Sequence, residues 1–132
     1  MDHGEIVAKA AGAVKPHRIE DRVIGNVAAV IVTDKGNEYT GVCIDTPSGT
    51  GFCAEASAIG AMVTAGEYRI RKVVAVSRHE DGTLYVLPPC GRCREFMRQV
   101  DEGNLEAEVV LGRKESAKLR DLLPRHEWPA PL

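Results

Sequence analysis

The stretch VIGNVAAVIVTDKGNEYTGVCI, residues 23–44, decides the fold. Val23 to Thr33 is β-branched and apolar, with Val23, Ile24, Val27, Val30, Ile31 and Val32, the composition of a largely buried strand. Asp34-Lys35-Gly36-Asn37 supplies turn residues, and Glu38 to Ile44 returns as a second strand. The two form an antiparallel hairpin. Upstream, Ile6 to Val14 has helix-like spacing and Pro16 ends it. Downstream, Thr46 to Gly51 is a loop by composition. A helix then runs from about Cys53 to Ala65 and stops at Gly66. Its Ala56, Ile59, Gly60 and Val63 share a face whose small residues suit close packing.

Beyond that helix, Val73 to Arg78 and Leu84 to Leu87 read as strands separated by Glu80-Asp81-Gly82. Pro88-Pro89 breaks the chain, and Gly91 to Val100 is a further helix. Glu108 to Gly112 is a fifth strand, and Ser116 to Leu123 a closing helix ended by Pro124. Strands separated by helices favour parallel pairing among the later strands, whereas the first hairpin is antiparallel. The expected architecture is a three-layer α/β/α sandwich around a five-stranded mixed sheet. One domain spanning residues 1–132 is expected, since this length buries a core without help.

Composition narrows the function. The chain is 44% hydrophobic and 27% charged, ordinary for a globular protein. A net charge of −2 gives no electrostatic pull toward nucleic acid or anionic membrane. Apolar runs such as Val27 to Val32 are too short to span a bilayer. Met1-Asp2-His3-Gly4-Glu5 lacks the basic lead and apolar run of a secretory signal, so a cytoplasmic location is expected. In a reduced compartment Cys90-x-x-Cys93 points to metal or redox chemistry rather than to a disulfide staple.

Two segments carry the chemistry: Cys53-Ala54-Glu55 and Pro89-Cys90-Gly91-Arg92-Cys93. Each lies at a predicted helix start, where free N–H groups and the helix dipole favour thiolate. Cys90 and Cys93 can aim two sulfurs at one metal, and Cys53 adds a third. Three protein ligands leave a tetrahedral zinc with an open position, the mark of a catalytic site. Glu55, in the same first turn as Cys53, is placed to move protons. A dithiol redox protein would leave Cys53 and Glu55 without a purpose.

Cys-Ala-Glu followed by Pro-Cys-x-x-Cys resembles the cytidine deaminase superfamily. The resemblance extends to Asn26–Val30 and Tyr39–Val42 as its first two strands and to Asp121–Pro124 at its close. It implies Zn²⁺ held by Cys53, Cys90 and Cys93, with Glu55 as the catalytic proton carrier. It also implies that the Ala54 N–H and the Pro88 carbonyl orient a cytosine-type base. The substrate it implies is a small nucleoside, not nucleic acid, and the assembly a homotetramer or a dimer.

The sequence departs from the family at three places. Cys43 and Asp45 stand where an Asn-x-Glu usually holds the ribose, and Ile24 stands where an aromatic stacks on the base. Ala56 replaces a frequent arginine, which leaves Arg94 as a candidate to balance thiolate charge. The glycine-rich Gly49-Thr50-Gly51 resembles the blasticidin S deaminases. A zinc-stabilised domain that binds a nucleoside or a partner without turnover is the alternative reading.

Overall fold

The computed structural model describes all 132 residues. Helix α1 (His3–Ala13) opens the chain, capped by the Asp2 carboxylate, which accepts the Glu5 N–H. A small hairpin follows, β1 (His17–Ile19) with β2 (Arg22–Ile24). The main sheet is built from β3 (Val27–Thr33), β4 (Glu38–Val42), β5 (Ile70–Arg78), β6 (Leu84–Val86), β7 (Glu108–Val110) and β8 (Ser116–Lys118). Helices α2 (Ala54–Thr64) and α3 (Gly91–Val100) are inserted between them. No helix is long and apolar enough to cross a membrane.

The strand order is β4-β3-β5-β7-β8, and β6 shares one edge of β5 with β7. Only β5–β7 is parallel; β3–β4, β3–β5, β5–β6 and β7–β8 are antiparallel. Alternation along the buried strands sorts their side chains to two faces. Val30, Val32, Val74, Val76 and Val110 meet Ile6, Val7, Ala10 and Ala11 of α1. Ala29, Ile31, Val73, Ala75 and Val109 meet Ala58, Ile59 and Met62 of α2 and Met97 of α3. The layers are therefore α/β/α, as expected.

Four expectations need correction. The run Val23–Thr33 is two strands, because Gly25 has φ +82° and the chain turns there from the small hairpin into the sheet. Ser116–Leu123 is not a helix: Ser116–Lys118 adds an edge strand to β7, and Leu119–Leu122 is a short 3-10 turn. The sheet accordingly has six strands rather than five. Finally, α2 buries Ala54, Glu55, Ala58, Ile59 and Met62, whereas Gly60 and Val63 face outward.

The close packing anticipated for α2 comes instead from β4. At Gly41 the helix crosses so near that an added Cβ would overlap Ala58 N and lie 2.5 Å from Ser57 Cβ. The Ser57 hydroxyl donates to the Val42 carbonyl at 2.7 Å and locks the crossing. This crossing sets where the first turn of α2 lies.

Candidate active site

Because β3 pairs antiparallel with both neighbours, its start, the end of β4 and the end of β5 lie at one end of the sheet. The first turns of α2 and α3 converge beside that end. Cys53 and Cys90 are the N-caps of the two helices, both with extended backbone (ψ 161° and 169°), and neither side chain caps its helix. Their sulfurs are left free while the first N–H groups of each helix point outward around them. Cys93 lies three residues beyond Cys90, on the same side of the first turn. After β6, the Leu87 N–H donates to the Ala75 carbonyl at 2.9 Å and anchors the segment that delivers Cys90.

The three sulfurs lie within 4.8 Å of one another, and Cys53 Sγ to Cys90 Sγ is 3.8 Å. A tetrahedral zinc with Zn–S bonds of about 2.3 Å requires sulfur–sulfur edges of roughly 3.8 Å. The donor set fits zinc in number, chemistry and spacing. Burial pushes the Cys53 and Cys93 thiols up, and for Cys93 the Glu55 carboxylate adds to the push. At Cys90 burial acts upward too, but the backbone N–H of Cys93 and the neighbouring thiols outweigh it, and the thiol is lowered. A divalent ion relieves the crowding of negative charge and holds all three as thiolates.

Glu55 is 6% exposed, and burial raises its carboxyl above the ordinary carboxylate range. With Cys53 and Ala54 it lines a cavity of about 720 Å³, within the range of small-molecule sites. Cys43 and Asp45 line it as well; Cys43 is buried and Asp45 exposed. Ile24 and Pro88 do not line it; the walls there are Val27 and Leu87. The Arg94 guanidinium, the candidate counter-ion, donates to the carbonyls of Pro89 and Leu122 at 2.8 and 2.9 Å. Arg92, between the paired cysteines, lines the cavity, as does Arg22 from β2.

A family model described as the cytidine and deoxycytidylate deaminase zinc-binding region matches residues 2–107. The chain belongs to this family. It is an aminohydrolase of the zinc-dependent kind, with Cys53, Cys90 and Cys93 as its zinc-binding cluster. It is 32% identical over 125 residues to a cytidine deaminase of Mycobacterium tuberculosis, covering 94% of this chain and 85% of that one. It is 31% identical over 104 residues to a blasticidin-S deaminase of Bacillus cereus, covering 75% and 74%. The crystal structure of cytidine deaminase from Mycobacterium leprae superposes with a TM-score of 0.76 at 26% identity, covering 95% of this chain and 99% of that chain.

Several cavity residues are not among the candidates read from the sequence: Asp21 and Arg22 from the small hairpin, Asn26 at the start of β3, and Phe52 beside Cys53. Phe52 adjoins the Cys53 motif and Asn26 opens the stretch that resembles the family's first strand, whereas Asp21 and Arg22 had no local signal.

Proposed function

We propose that this chain deaminates a cytosine-type nucleoside, adding water to the ring carbon that bears the amine and releasing ammonia and the uracil form. The observation that carries the reading is a buried carboxyl, Glu55, on the wall of a nucleoside-sized cavity and two residues from a zinc ligand. Zinc bound by the three thiolates supplies the Lewis acidity that lets water ionise near neutral pH. Glu55 takes up the proton that water loses. It delivers that proton to the ring nitrogen next to the attacked carbon, and a later one to the departing amine. Its raised pKa, a product of burial, suits a group that must both accept and return a proton.

In this reading the Ala54 N–H, at the first position of α2 and unpaired within the helix, points at the base. Leu87 carries the cavity wall into the segment of Pro88, whose carbonyl is the proposed acceptor for the amine edge. Cys43 and Asp45 face the sugar, and Ile24 supports the β2 side of the entrance. A free small molecule, rather than a polynucleotide, is the substrate, in keeping with the net charge of −2. We place the enzyme in the cytoplasm as a homotetramer. Phe52 at the cavity wall and Val63 on the outer face of α2 are exposed apolar side chains that a neighbouring chain would cover. Light scattering reads that assembly, and a fully active monomer overturns it.

The direct test is Glu55→Gln, assayed by ammonia release and ultraviolet change with cytidine and deoxycytidine. The variant keeps one zinc per chain and loses turnover by several orders of magnitude. Turnover near the wild-type rate removes Glu55 from the mechanism.

A further inference from the structure

The cavity contains a second polar pair that the proton chemistry does not use. Asn26 and Cys43 both line it, at the start of β3 and just past the end of β4. The Cys43 thiol donates to Asn26 Oδ1 at 3.1 Å. Both residues are held by their backbones. The Cys43 N–H donates to the Val27 carbonyl at 3.0 Å, and the Gly25 N–H donates to the Cys43 carbonyl at 3.0 Å. The Asn26 carbonyl accepts the Arg78 N–H at 3.4 Å.

An amide side chain has one oxygen to accept with and two N–H groups to donate. With Oδ1 held by the thiol, the Nδ2 donors of Asn26, a residue of the cavity wall, have no acceptor within this chain. The pair lies on strand ends, whereas the groups that act on the base belong to the first turn of α2. A base with its amine at Glu55 therefore turns its glycosidic side away from that turn, toward the strand ends.

We propose that Asn26 is a specificity-determining residue: its Nδ2 donates to a hydroxyl oxygen of the nucleoside's sugar, and Cys43 is the positioning residue that fixes which edge of the amide faces inward. The inference rests on the deaminase reading above. It makes a sugar-bearing nucleoside, rather than a free base, the substrate that the cavity prefers.

The test compares cytidine, 2′-deoxycytidine and 3′-deoxycytidine on wild type, Asn26→Ala, Cys43→Ser and Cys43→Ala, with zinc content and melting temperature as checks on folding. Wild type disfavours one of the two deoxy analogues. Asn26→Ala lowers kcat/KM for cytidine by about three- to tenfold, the worth of one neutral hydrogen bond. It does so through KM, and it brings cytidine and that analogue level. Cys43→Ser, whose hydroxyl still donates to Oδ1, keeps the discrimination, and Cys43→Ala weakens it. Equal losses on all three nucleosides, or an unchanged pattern in Asn26→Ala, overturn the assignment while leaving the deaminase intact. No ammonia from any of the three with wild type overturns both. Should Asn26→Ala fail to fold, the two Cys43 variants decide: matching patterns overturn the proposal and diverging ones uphold it.

Discussion

Replacing Gly41 by alanine probes the crossing that places the active-site helix. The new Cβ would overlap Ala58 N and lie 2.5 Å from Ser57 Cβ and 2.6 Å from Ser57 C. Two of these three atoms are helix backbone, which has no flexible end to swing aside. Ordinary contact begins near 3.4 Å, so α2 must retreat from β4 by about 1 Å to relieve the overlap. Overpacking of this kind costs about 3 kcal/mol, or about 10 °C in Tm for a chain of this size. The same retreat moves Cys53 and Glu55 relative to Cys90 and Cys93, and a misplacement of about 1 Å costs roughly a hundredfold in rate. Urea unfolding, zinc content and ammonia release measure the three effects. Gly12→Ala is the control, since nothing lies within 4 Å of its would-be Cβ in α1. It should be neutral or add about 0.5–1 kcal/mol. A Gly41→Ala protein with wild-type stability and rate refutes the packing argument.

Other perturbations follow from particular contacts. Asn104 is fully buried; its Oδ1 accepts the Ile70 N–H at 2.7 Å, and its Nδ2 donates to the Tyr68 and Met97 carbonyls at 3.0 and 2.9 Å. Asn104→Ala strands those groups and should cost about 3 kcal/mol, read by chemical denaturation. The Glu67 carboxyl is held below its ordinary value first by the Tyr39 hydroxyl, with Thr33 and Asn37 assisting. A depressed native pKa contributes stability above the unfolded value of 4.5, and that stability is lost as pH falls through the native value. Glu67→Gln should therefore flatten the acid limb of the stability profile, and an unchanged limb would count against the bond. A strong chelator should abolish ammonia release and lower Tm, and added zinc should restore both.

Much of this was legible in the sequence, for identifiable reasons. The β3–β4 hairpin announced itself through its turn residues, and both motif helices through the loop and prolines before them. The sulfur cluster was readable because its spacing encodes one helical turn plus one distant partner. The break at Gly25 was hidden, because a β-branched run looks continuous whether or not it changes sheet. What requires glycine there is long-range: a Cβ would strike the Lys15 carbonyl, whose residue lies ten positions earlier. Ser116–Lys118 became a strand only because β7 offered an open edge, a tertiary preference that local propensity does not carry. Asp21 and Arg22 line the cavity because the small hairpin folds back onto it, and no periodicity records that.

The two N-cap cysteines have a consequence for the chain as a polymer. Cys53 and Cys90 are 37 residues apart, with α2, β5 and β6 strung between them. An ion gripping both fastens that whole loop shut, as a reversible cross-link. A permanent bridge of the same span would remove about 4 kcal/mol of chain entropy from the unfolded state. The catalytic metal is thus also a fastener whose strength follows the free zinc concentration, so scarcity of the ion loosens the scaffold as well as silencing the chemistry.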